Sequence, residues 1–320
     1  MFRPKTFDEF IGNENIKERL QMYMAVCKKE NKILPHIIFY GGAGLGKTTL
    51  ANIVANEWGG ELISITGSSL RTMEDLSSLM CGIKKIQKDH DVFLMIDEIH
   101  ELPKSTLPEA VWLPLIENFT LFFSVTPATS TTHTKALNIK TDPFTLLGAT
   151  TNPEDLSKPL RDRFPIICQM QPYTAKEMAI IISQCAAKEH TTIEKRALVG
   201  MVKRTRGNPR LANSMFDLTL LRAKSKGEKT ITYKTFREEM KSQKIDNLGL
   251  TDRDREVLDI LVHNHRPMGA TRIANIMLIK TKSLLEMHEY YLVRLGLLQV
   301  DSKGRVITTR GKMHLRHYYY

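Results

Sequence analysis

The sequence predicts an α/β core, in which a parallel sheet is covered by helices, followed by a small all-helical domain and a winged helix. Between residues 37 and 170, short apolar runs such as "HIIFY", "DVFLMID" and "FTLLGATT" alternate with amphipathic helical patterns, as in parallel sheets. From residue 174 the pattern is helical, and from residue 251 three helical patterns precede the strand-like pair "LLQVDSKGRVITT". We therefore predict three domains, at residues 1–170, 171–245 and 246–320.

The composition is that of a globular protein with an excess of basic side chains. Of 320 residues, 42% are hydrophobic and 25% are charged, and the formal net charge is +11. This excess favours a polyanionic partner without identifying one. No run of eighteen apolar residues occurs, and the first residues lack the order of a signal peptide. We therefore expect no membrane insertion and a cytoplasmic location.

A glycine-rich loop lies between the first predicted strand and a predicted helix. Gly41, Gly46, Lys47 and Thr48 match the pattern GxxxxGK[ST] in "GGAGLGKT". Glycines let successive backbone N–H groups point inward, and the helix N-terminus adds a positive end. Lys47 would then reach the outer phosphates of a nucleotide, and Thr48 would offer its hydroxyl to Mg²⁺. The loop therefore predicts nucleotide triphosphate binding.

Two acidic residues end the apolar run "VFLMIDE", and two threonines follow the next predicted strand. Ligands bind beyond the carboxyl ends of parallel strands, so Asp97 is expected to hold Mg²⁺ and Glu98 to orient or deprotonate a water. In "GATTN", the hydroxyl of Thr150 or Thr151 could contact the γ-phosphate or that water. The nearby "HELP" lacks a second histidine four residues after the first, so it predicts no zinc site. Hydrolysis of the nucleotide is expected.

Arginines follow in two further segments. "SKPLRDRF" contains Arg161 and Arg163, and in an ATPase a guanidinium can be supplied in trans to the γ-phosphate of a neighbouring subunit. In "RGNPRLANS", Asn208 and Pro209 are typical of an N-cap and a first helical position. That helix start would direct Arg210 toward an anion.

These segments resemble, in order and nearly end to end, the RuvB family of AAA+ ATPases. The similar segments are "RPKTFDEFIGNENIKERL", "GLGKTTLANIVANE", "FLMIDEIHELP", "PFTLLGATT", "PLRDRF", "RGNPRLAN", "LGLTDRDREVL" and "YLVRLGLLQVDSKGR". The resemblance implies a P-loop AAA+ core, an all-helical lid domain and a winged-helix DNA-binding domain. It is more specific than the phosphate loop alone, because "FTLLGATT" with "LRDRF" and a terminal winged helix is not common to all NTPases.

The resemblance also implies roles for individual residues. The catalytic set is Lys47, Asp97, Glu98, Thr150 as the first sensor, Arg163 as the arginine finger and Arg210 as the second sensor. The ATP-binding set is Arg3, Pro4, Ile11, Gly41, Gly44, Gly46, Lys47, Thr48, Thr49, Tyr173, Pro209 and Arg210. Thr48 and Asp97 would hold Mg²⁺, and Lys303, Arg305 and Arg310 in the basic C-terminal region would contact DNA.

The chain departs from the family pattern at several positions. Gly42 and Ala43 stand where the family usually has two prolines, Glu101 where a basic residue usually follows the histidine, and Asn152 where an arginine usually follows the threonines. In "TLFFSVTPATSTTHTKALNIKTDPF", the apolar strands of the hairpin that docks RuvA are retained, with Leu137 and Ile139 at matching positions. The tip of this hairpin is rich in threonine and serine, which leaves the choice of partner open.

The resemblance implies an ATP-dependent DNA translocase, or helicase motor, that drives branch migration of Holliday junctions in recombination and repair. It implies ATP and Mg²⁺, a homo-hexameric ring, double-stranded DNA at four-way junctions and a RuvA-like partner. One alternative is a clamp loader or replication initiator that uses ATP as a switch and leaves junctions intact. Another is a DNA-binding adaptor that the nucleotide only regulates, which would tolerate Glu98→Gln.

Overall fold

The computed structural model describes residues 3–104, 107, 109–125, 135–264 and 266–319. Within these ranges the chain divides into two compact units. The first unit comprises residues up to Ile181 together with Asn208–Arg210, and the second comprises Ile182–Gly207 together with residues from Leu211 onward. None of the described helices is both long and apolar enough to cross a membrane.

The first unit alternates strands with helices. Its strands are β1 (Ile37–Tyr40), β2 (Glu61–Thr66), β3 (Val92–Asp97), β4 (Thr120–Val125), β5 (Lys135–Lys140), β6 (Thr145–Thr150) and β7 (Ile166–Gln169). Its helices are α1 (Glu14–Lys29), α2 (Lys47–Trp58), α3 (Met73–Ile86), α4 (Glu109–Asn118) and α5 (Lys158–Arg161), and α6 (Ala175–Lys188) begins in it. Short 3₁₀ turns follow β2, β3 and β6, at Gly67–Ser69, Ile99–Lys104 and Pro153–Asp155.

A parallel sheet forms the core of this unit, with the strands in the order β2-β3-β6-β1-β7. β6 is buried along its whole length and β3 is buried up to Asp97, which explains their continuous apolar sequences. All the segments predicted as core strands lie in this sheet, and the predicted α/β core is confirmed. Because the strands are parallel, the carboxyl ends of β1, β3 and β6 lie at one edge of the sheet.

β4 and β5 form a separate antiparallel pair, in which Leu121 lies opposite Ile139 and Phe123 opposite Leu137. Leu121 is buried and Ile139 packs against the apolar core, whereas Phe122 points to solvent. The strands of the predicted hairpin are therefore present. Its threonine- and serine-rich tip, residues 126–134, lies outside the described residues.

The second unit contains helices and then a winged helix. The first part comprises β8 (Thr192–Ile193), α7 (Lys195–Val202), α8 (Pro209–Ser225), which starts in the first unit, β9 (Thr230–Ile231) and α9 (Tyr233–Ser242). The winged helix comprises α10 (Asp252–Asn264), α11 (Ala270–Ile276), α12 (Thr281–Leu284), α13 (Tyr290–Arg294), β10 (Leu298–Asp301), β11 (Gly304–Ile307) and α14 (Thr309–Tyr319). A π-helical turn at Leu285–Glu289 joins α12 to α13.

Two features of the second unit were not predicted. The short strands β8 and β9 pair in parallel, so residues 182–244 are not entirely helical. The C-terminal basic run forms α14, which places Arg310 on a helix after the wing hairpin of β10 and β11. The predicted winged helix itself is confirmed.

Candidate functional site

The phosphate loop connects β1 to α2 and follows a backbone path that side chains would obstruct. Gly41, Gly44 and Gly46 have φ angles of 142°, 79° and 99°, a region that L-residues rarely adopt. A Cβ atom at Gly41 would lie 2.6 Å from the carbonyl oxygen of Met170, and one at Gly44 would lie 2.5 Å from Oδ1 of Asn208. The glycine spacing therefore permits both the turn and the close approach of its neighbours.

Lys47 begins α2 and lies buried inside the loop. Its Nζ donates hydrogen bonds to the carbonyl oxygens of Gly41 and Gly42, at 2.8 and 3.1 Å. Burial lowers the pKa of Lys47, whereas the nearby Glu98 and Asp97 oppose that shift. The ammonium group is thus positioned at the centre of the loop with the acidic pair beside it.

Thr48 and Asp97 are brought together from α2 and β3. Thr48 Oγ1 donates to Asp97 Oδ2 at 3.5 Å, and Asp97 Oδ1 accepts a hydrogen bond from the backbone N–H of Glu98 at 3.1 Å. A hydroxyl and a carboxylate are ligands that Mg²⁺ prefers, with phosphates and water completing its octahedron. The two residues predicted to hold Mg²⁺ therefore fit that ion in chemistry and in position.

Glu98 follows directly and adopts a left-handed backbone conformation, with φ at 50°. Such a conformation is unfavourable for a glutamate. Its carboxylate accepts a hydrogen bond from Thr151 Oγ1 at 3.4 Å and contacts His100 Nδ1 at 3.2 Å. The side chain is 45% exposed, so a water molecule can reach it.

His100 is a member of this site that the sequence analysis did not identify. It is buried, with Nδ1 2.9 Å from Thr150 Oγ1 and Nε2 3.2 Å from Glu101 Oε1. The sequence signal was its position in the turn after Asp97, where parallel strands gather functional groups.

Thr150 lies beneath the surface of the site. It is completely buried, and its Oγ1 accepts a hydrogen bond from the backbone N–H of Asn152 at 3.0 Å besides contacting His100. Thr151 is half-buried and is the threonine whose hydroxyl reaches Glu98. The departure at Asn152 leaves the contact to Thr150 intact, because a backbone N–H is present in any residue except proline.

The two candidate arginine-finger residues lie at the end of α5 and just after it, and the start of this helix is capped by Ser157. Arg163 pairs with Glu117 at 3.0 Å and donates to the carbonyl oxygen of Pro159, and its side chain is 28% exposed. Arg161 donates to the carbonyl oxygen of Leu156 at 3.1 Å. Arg163 is thus partly accessible and held by an exposed carboxylate.

Asn208 and Arg210 reach the phosphate loop at the start of α8. Asn208 Nδ2 donates to the carbonyl oxygen of Ala43 at 2.8 Å, and its Oδ1 accepts the backbone N–H of Arg210 at 2.9 Å. The predicted N-cap and the first helical position, Pro209, are confirmed. Arg210 also lies near enough to Lys47 for its charge to lower the pKa of that lysine.

Tyr173, one of the residues predicted to bind ATP, packs beside the loop. It is buried, its hydroxyl donates to the carbonyl oxygen of Leu45 at 3.1 Å, and burial raises its pKa. A Cβ atom at Gly12 would lie 2.9 Å from the ring of Tyr173. Tyr173 also lines a cavity of about 330 Å³ together with Asn13, Gln171 and Glu177. Of the other predicted ATP-binding residues, Pro4, Ile11, Thr49 and Pro209 are half-buried and Arg3 is exposed.

The predicted DNA-contacting residues differ in their surroundings. Lys303 lies exposed at the tip of the wing, and Arg310 lies exposed on α14. Arg305 is paired with Glu289 through two hydrogen bonds, Nε to Oε2 at 2.7 Å and Nη2 to Oε1 at 3.0 Å. This pairing raises the pKa of Arg305. The sequence predicted that Arg305 contacts DNA, but it did not predict the ion pair between Arg305 and Glu289.

Comparison with known families agrees with this geometry. The family model described as the Holliday junction DNA helicase RuvB P-loop domain matches residues 2–170, and the RuvB C-terminal winged helix domain matches residues 247–316. The chain belongs to the RuvB family.

Individual RuvB proteins are similar along almost the whole chain. The Holliday junction branch migration complex subunit RuvB of Fusobacterium nucleatum is 34% identical over 316 residues, covering 98% of this chain and 92% of its own. The corresponding subunit of Lactobacillus helveticus is 34% identical and covers 98% and 88%. The structure titled Thermotoga maritima RuvB Holliday junction branch migration motor has a TM-score of 0.83 at 32% identity, covering 98% of both chains. The P-loop AAA+ core and the winged helix of a RuvB protein are thus confirmed.

Proposed function

We propose that this RuvB-family chain is an ATP-hydrolysing motor subunit that drives branch migration of four-way DNA junctions. The observation that carries the proposal is the convergence of Lys47, Thr48, Asp97 and Glu98 at one sheet edge, in a chain that also contains a winged helix with exposed basic side chains. The three proposed domains are residues 1–170, 171–245 and 246–320, and the proposed location is the cytoplasm.

ATP would bind along the phosphate loop. Lys47 would exchange the carbonyl oxygens of Gly41 and Gly42 for the outer phosphate oxygens, since ionised acceptors form stronger hydrogen bonds with an ammonium group. Thr48 and Asp97 would hold Mg²⁺, which neutralises charge on the phosphates when it is bound. Tyr173, with Ile11, Pro4, Arg3 and Pro209, would enclose the adenine.

Hydrolysis would depend on Glu98 and on positively charged residues. The Glu98 carboxylate, half-exposed and held by Thr151 and His100, would orient the attacking water and accept its proton. Arg210 would stabilise the γ-phosphate, and Arg163 would do so from a neighbouring subunit after leaving Glu117. A guanidinium that acts in trans requires oligomers, and we propose a homo-hexameric ring.

DNA would be held through its phosphates, which look alike at every step and therefore suit a motor. Lys303 and Arg310 are exposed, and Arg305 retains N–H groups beyond those donated to Glu289. The β4–β5 hairpin, with Ile139 and Leu137 in β5, would dock a RuvA-like partner.

The test is the dissociation of a synthetic four-way junction by the purified protein with ATP and Mg²⁺, with and without a RuvA-type partner. Lys47→Ala is the inactive control. Separation into two duplexes that needs ATP and is lost in Lys47→Ala is the expected result. ATP hydrolysis that leaves junctions intact in every mixture would overturn the proposal and favour a clamp loader.

A further inference from the structure

A network of buried and partly buried aspartate, arginine and histidine side chains connects the two parts of the second unit. It contains residues that the proposed catalytic cycle does not use: Arg204, Arg206, Asp246, Asp254, Arg255, His288 and His314. The Asp254 side chain is 0% exposed and that of Arg255 is 1% exposed. Charges are seldom buried this deeply unless their pairing is needed.

One half of the network centres on Asp254, near the start of α10. Arg206 Nη2 lies 2.5 Å from Asp254 Oδ2, and His288 Nδ1 lies 2.7 Å from Asp254 Oδ1. Thr251 donates its N–H and its hydroxyl to the same carboxylate at 2.8 and 2.7 Å. Burial alone would raise the pKa of Asp254, but the hydrogen bond from His288, the charge of Arg206 and the bonds from Thr251 outweigh it and lower the pKa to about 2.

Both the side chain and the backbone of Arg206 contact the winged helix and the segment before it. Its Nε and Nη2 donate to the carbonyl oxygen of Gly249 at 3.2 and 2.7 Å, and its guanidinium lies 4.4 Å from the centre of the Tyr291 ring. The carbonyl oxygen of Arg206 accepts a hydrogen bond from Arg294 Nη2 at 2.8 Å. Both the side chain and the backbone of this residue are therefore fixed to α10, α13 and the segment before α10.

The other half of the network holds the connection between the two parts. Asp246 pairs with Arg255 at 3.2 Å and with His314 at 2.8 Å, and its Oδ1 accepts the backbone N–H groups of Leu248 and Leu250. Arg204 Nε donates to the carbonyl oxygen of Asp246 at 2.8 Å. Bending the chain here would leave buried charges without their partners, so this connection is not a free hinge.

Arg206 lies close in sequence to the residues that contact the phosphate loop. It lies two residues before Asn208, whose amide bonds the phosphate loop, and four before Arg210. Arg206 and Gly207 both adopt left-handed backbone conformations, with φ at 58° and 69°. Only Gly207 thus separates Asn208, which bonds the phosphate loop, from Arg206, which is fixed to the winged helix.

We propose that Arg206 and Asp254 form a joint that transmits movement of the 208–210 loop to the winged helix. They act as positioning residues, since neither touches the phosphate loop or the acidic pair in the described parts of the chain. The inference rests on the proposed motor function, because one of its tests measures the dissociation of DNA junctions. It adds to that function the element that converts a change at the nucleotide site into displacement of the DNA-binding domain.

The experiment compares Arg206→Met and Asp254→Asn with the unaltered full-length chain. Arg206→Met keeps the length of the side chain without its charge, and Asp254→Asn keeps the shape of the carboxylate. The matched control is Arg253→Met, on the same helix, because Arg253 forms an exposed pair with Glu256. We measure ATP hydrolysis and junction dissociation in the same mixture, together with duplex affinity as a check that the winged helix is folded.

We expect both variants to hydrolyse ATP within about twofold of the unaltered chain while junctions separated per ATP fall about tenfold, and Arg253→Met to change neither. The double variant should lose no more than either single variant, because both remove one joint. Unchanged coupling, or hydrolysis and dissociation that fall in equal proportion, would overturn the joint. If one variant does not fold, Arg206→Lys retains the charge but loses the paired contact to Gly249 and tests the same joint.

A second readout separates the joint from the motor function. Hydrogen exchange of the α10 amides is measured with and without a non-hydrolysable ATP analogue. We expect the analogue to change exchange in the unaltered chain and in Arg253→Met, and not in Arg206→Met. If the unaltered chain leaves junctions intact but shows this pattern, the motor proposal fails and the joint stands. The same response in Arg206→Met as in the unaltered chain would overturn the joint.

Discussion

The pairing of Arg305 with Glu289 allows the contribution of the wing to DNA binding to be measured one charge at a time. Glu289 accepts two of the five N–H groups of the guanidinium, so three remain for a phosphate. Each phosphate neutralised adds about 0.9 to the slope of log affinity against log salt. We expect Arg305→Ala to weaken duplex binding, to lower that slope by about 0.9 and to leave basal ATP hydrolysis unchanged.

The size of the effect can be worked through for a salt titration. Between about 50 and 200 mM salt, a slope smaller by about 0.9 reduces the loss of affinity roughly 3.5-fold. Glu289→Gln is the matched variant, because it removes the carboxylate beside Arg305 and keeps a side chain of the same length. We expect Glu289→Gln to bind duplex DNA more tightly, since one negative charge near the phosphates is lost.

The measurement is the fluorescence anisotropy of a labelled duplex across the titration. Arg305→Ala should not displace the wing, because the backbone N–H groups of Met268 and Arg305 donate to each other's carbonyl oxygens at 3.1 and 2.8 Å. Equal slopes for Arg305→Ala and the unaltered chain would refute the reasoning.

Three further outcomes follow from the sites. Glu98→Gln should bind ATP normally and hydrolyse it about 10² to 10³ times more slowly, and hydrolysis at the normal rate would contradict its role. The lowered pKa of Asp254 should stabilise the fold by about 2 kcal/mol above its unfolded pKa of 3.8, a contribution lost as pH falls toward about 2. In urea unfolding, Asp254→Asn should therefore show less loss of stability below pH 4 than the unaltered chain, and identical pH profiles would argue against it. Glu101→Gln removes the carboxylate 3.2 Å from His100 Nε2 and keeps the length of the side chain, and Glu101→Lys introduces the kind of basic residue that the family usually has there. Both variants should therefore retain ATP hydrolysis, and loss of hydrolysis in either would show that the carboxylate beside His100 is needed.

Patterns confined to one element were sufficient for the core of the fold. Alternating apolar runs predicted the parallel sheet because burial on both faces favours continuous apolar residues, as in the first five positions of β3. The phosphate loop was predictable because its glycines meet a local requirement for positive φ. The N-cap at Asn208 was predictable for a similar reason, since a cap acts within one turn of its helix.

Helix α14 shows where such patterns mislead. The run "TTRGKMH" was interpreted only as part of a basic segment, and its Gly311 is unfavourable within a helix. In the structure, a Cβ atom at residue 311 would lie 2.4 Å from the carbonyl oxygen of Leu297, and Leu315 is buried in the core of the winged helix. The glycine permits the close packing that stabilises this helix, and that contact has no signature within the run itself.

The same limit explains which site residues were identified. Lys47, Thr48, Asp97 and Glu98 match a motif whose spacing is set by the nucleotide phosphates it would hold, so that spacing carries the information. The role of Arg206 depends instead on Asp254, which lies 48 residues later and reads locally as a helix-capping residue. An exposed arginine and a buried, paired arginine look the same in a single sequence. They can be told apart only when the acidic residue that pairs with the arginine is known, and the tertiary fold decides which residue that is. Residues proposed to bind the nucleotide are therefore accessible to motif reasoning, whereas residues that would couple its hydrolysis to DNA movement require the structure.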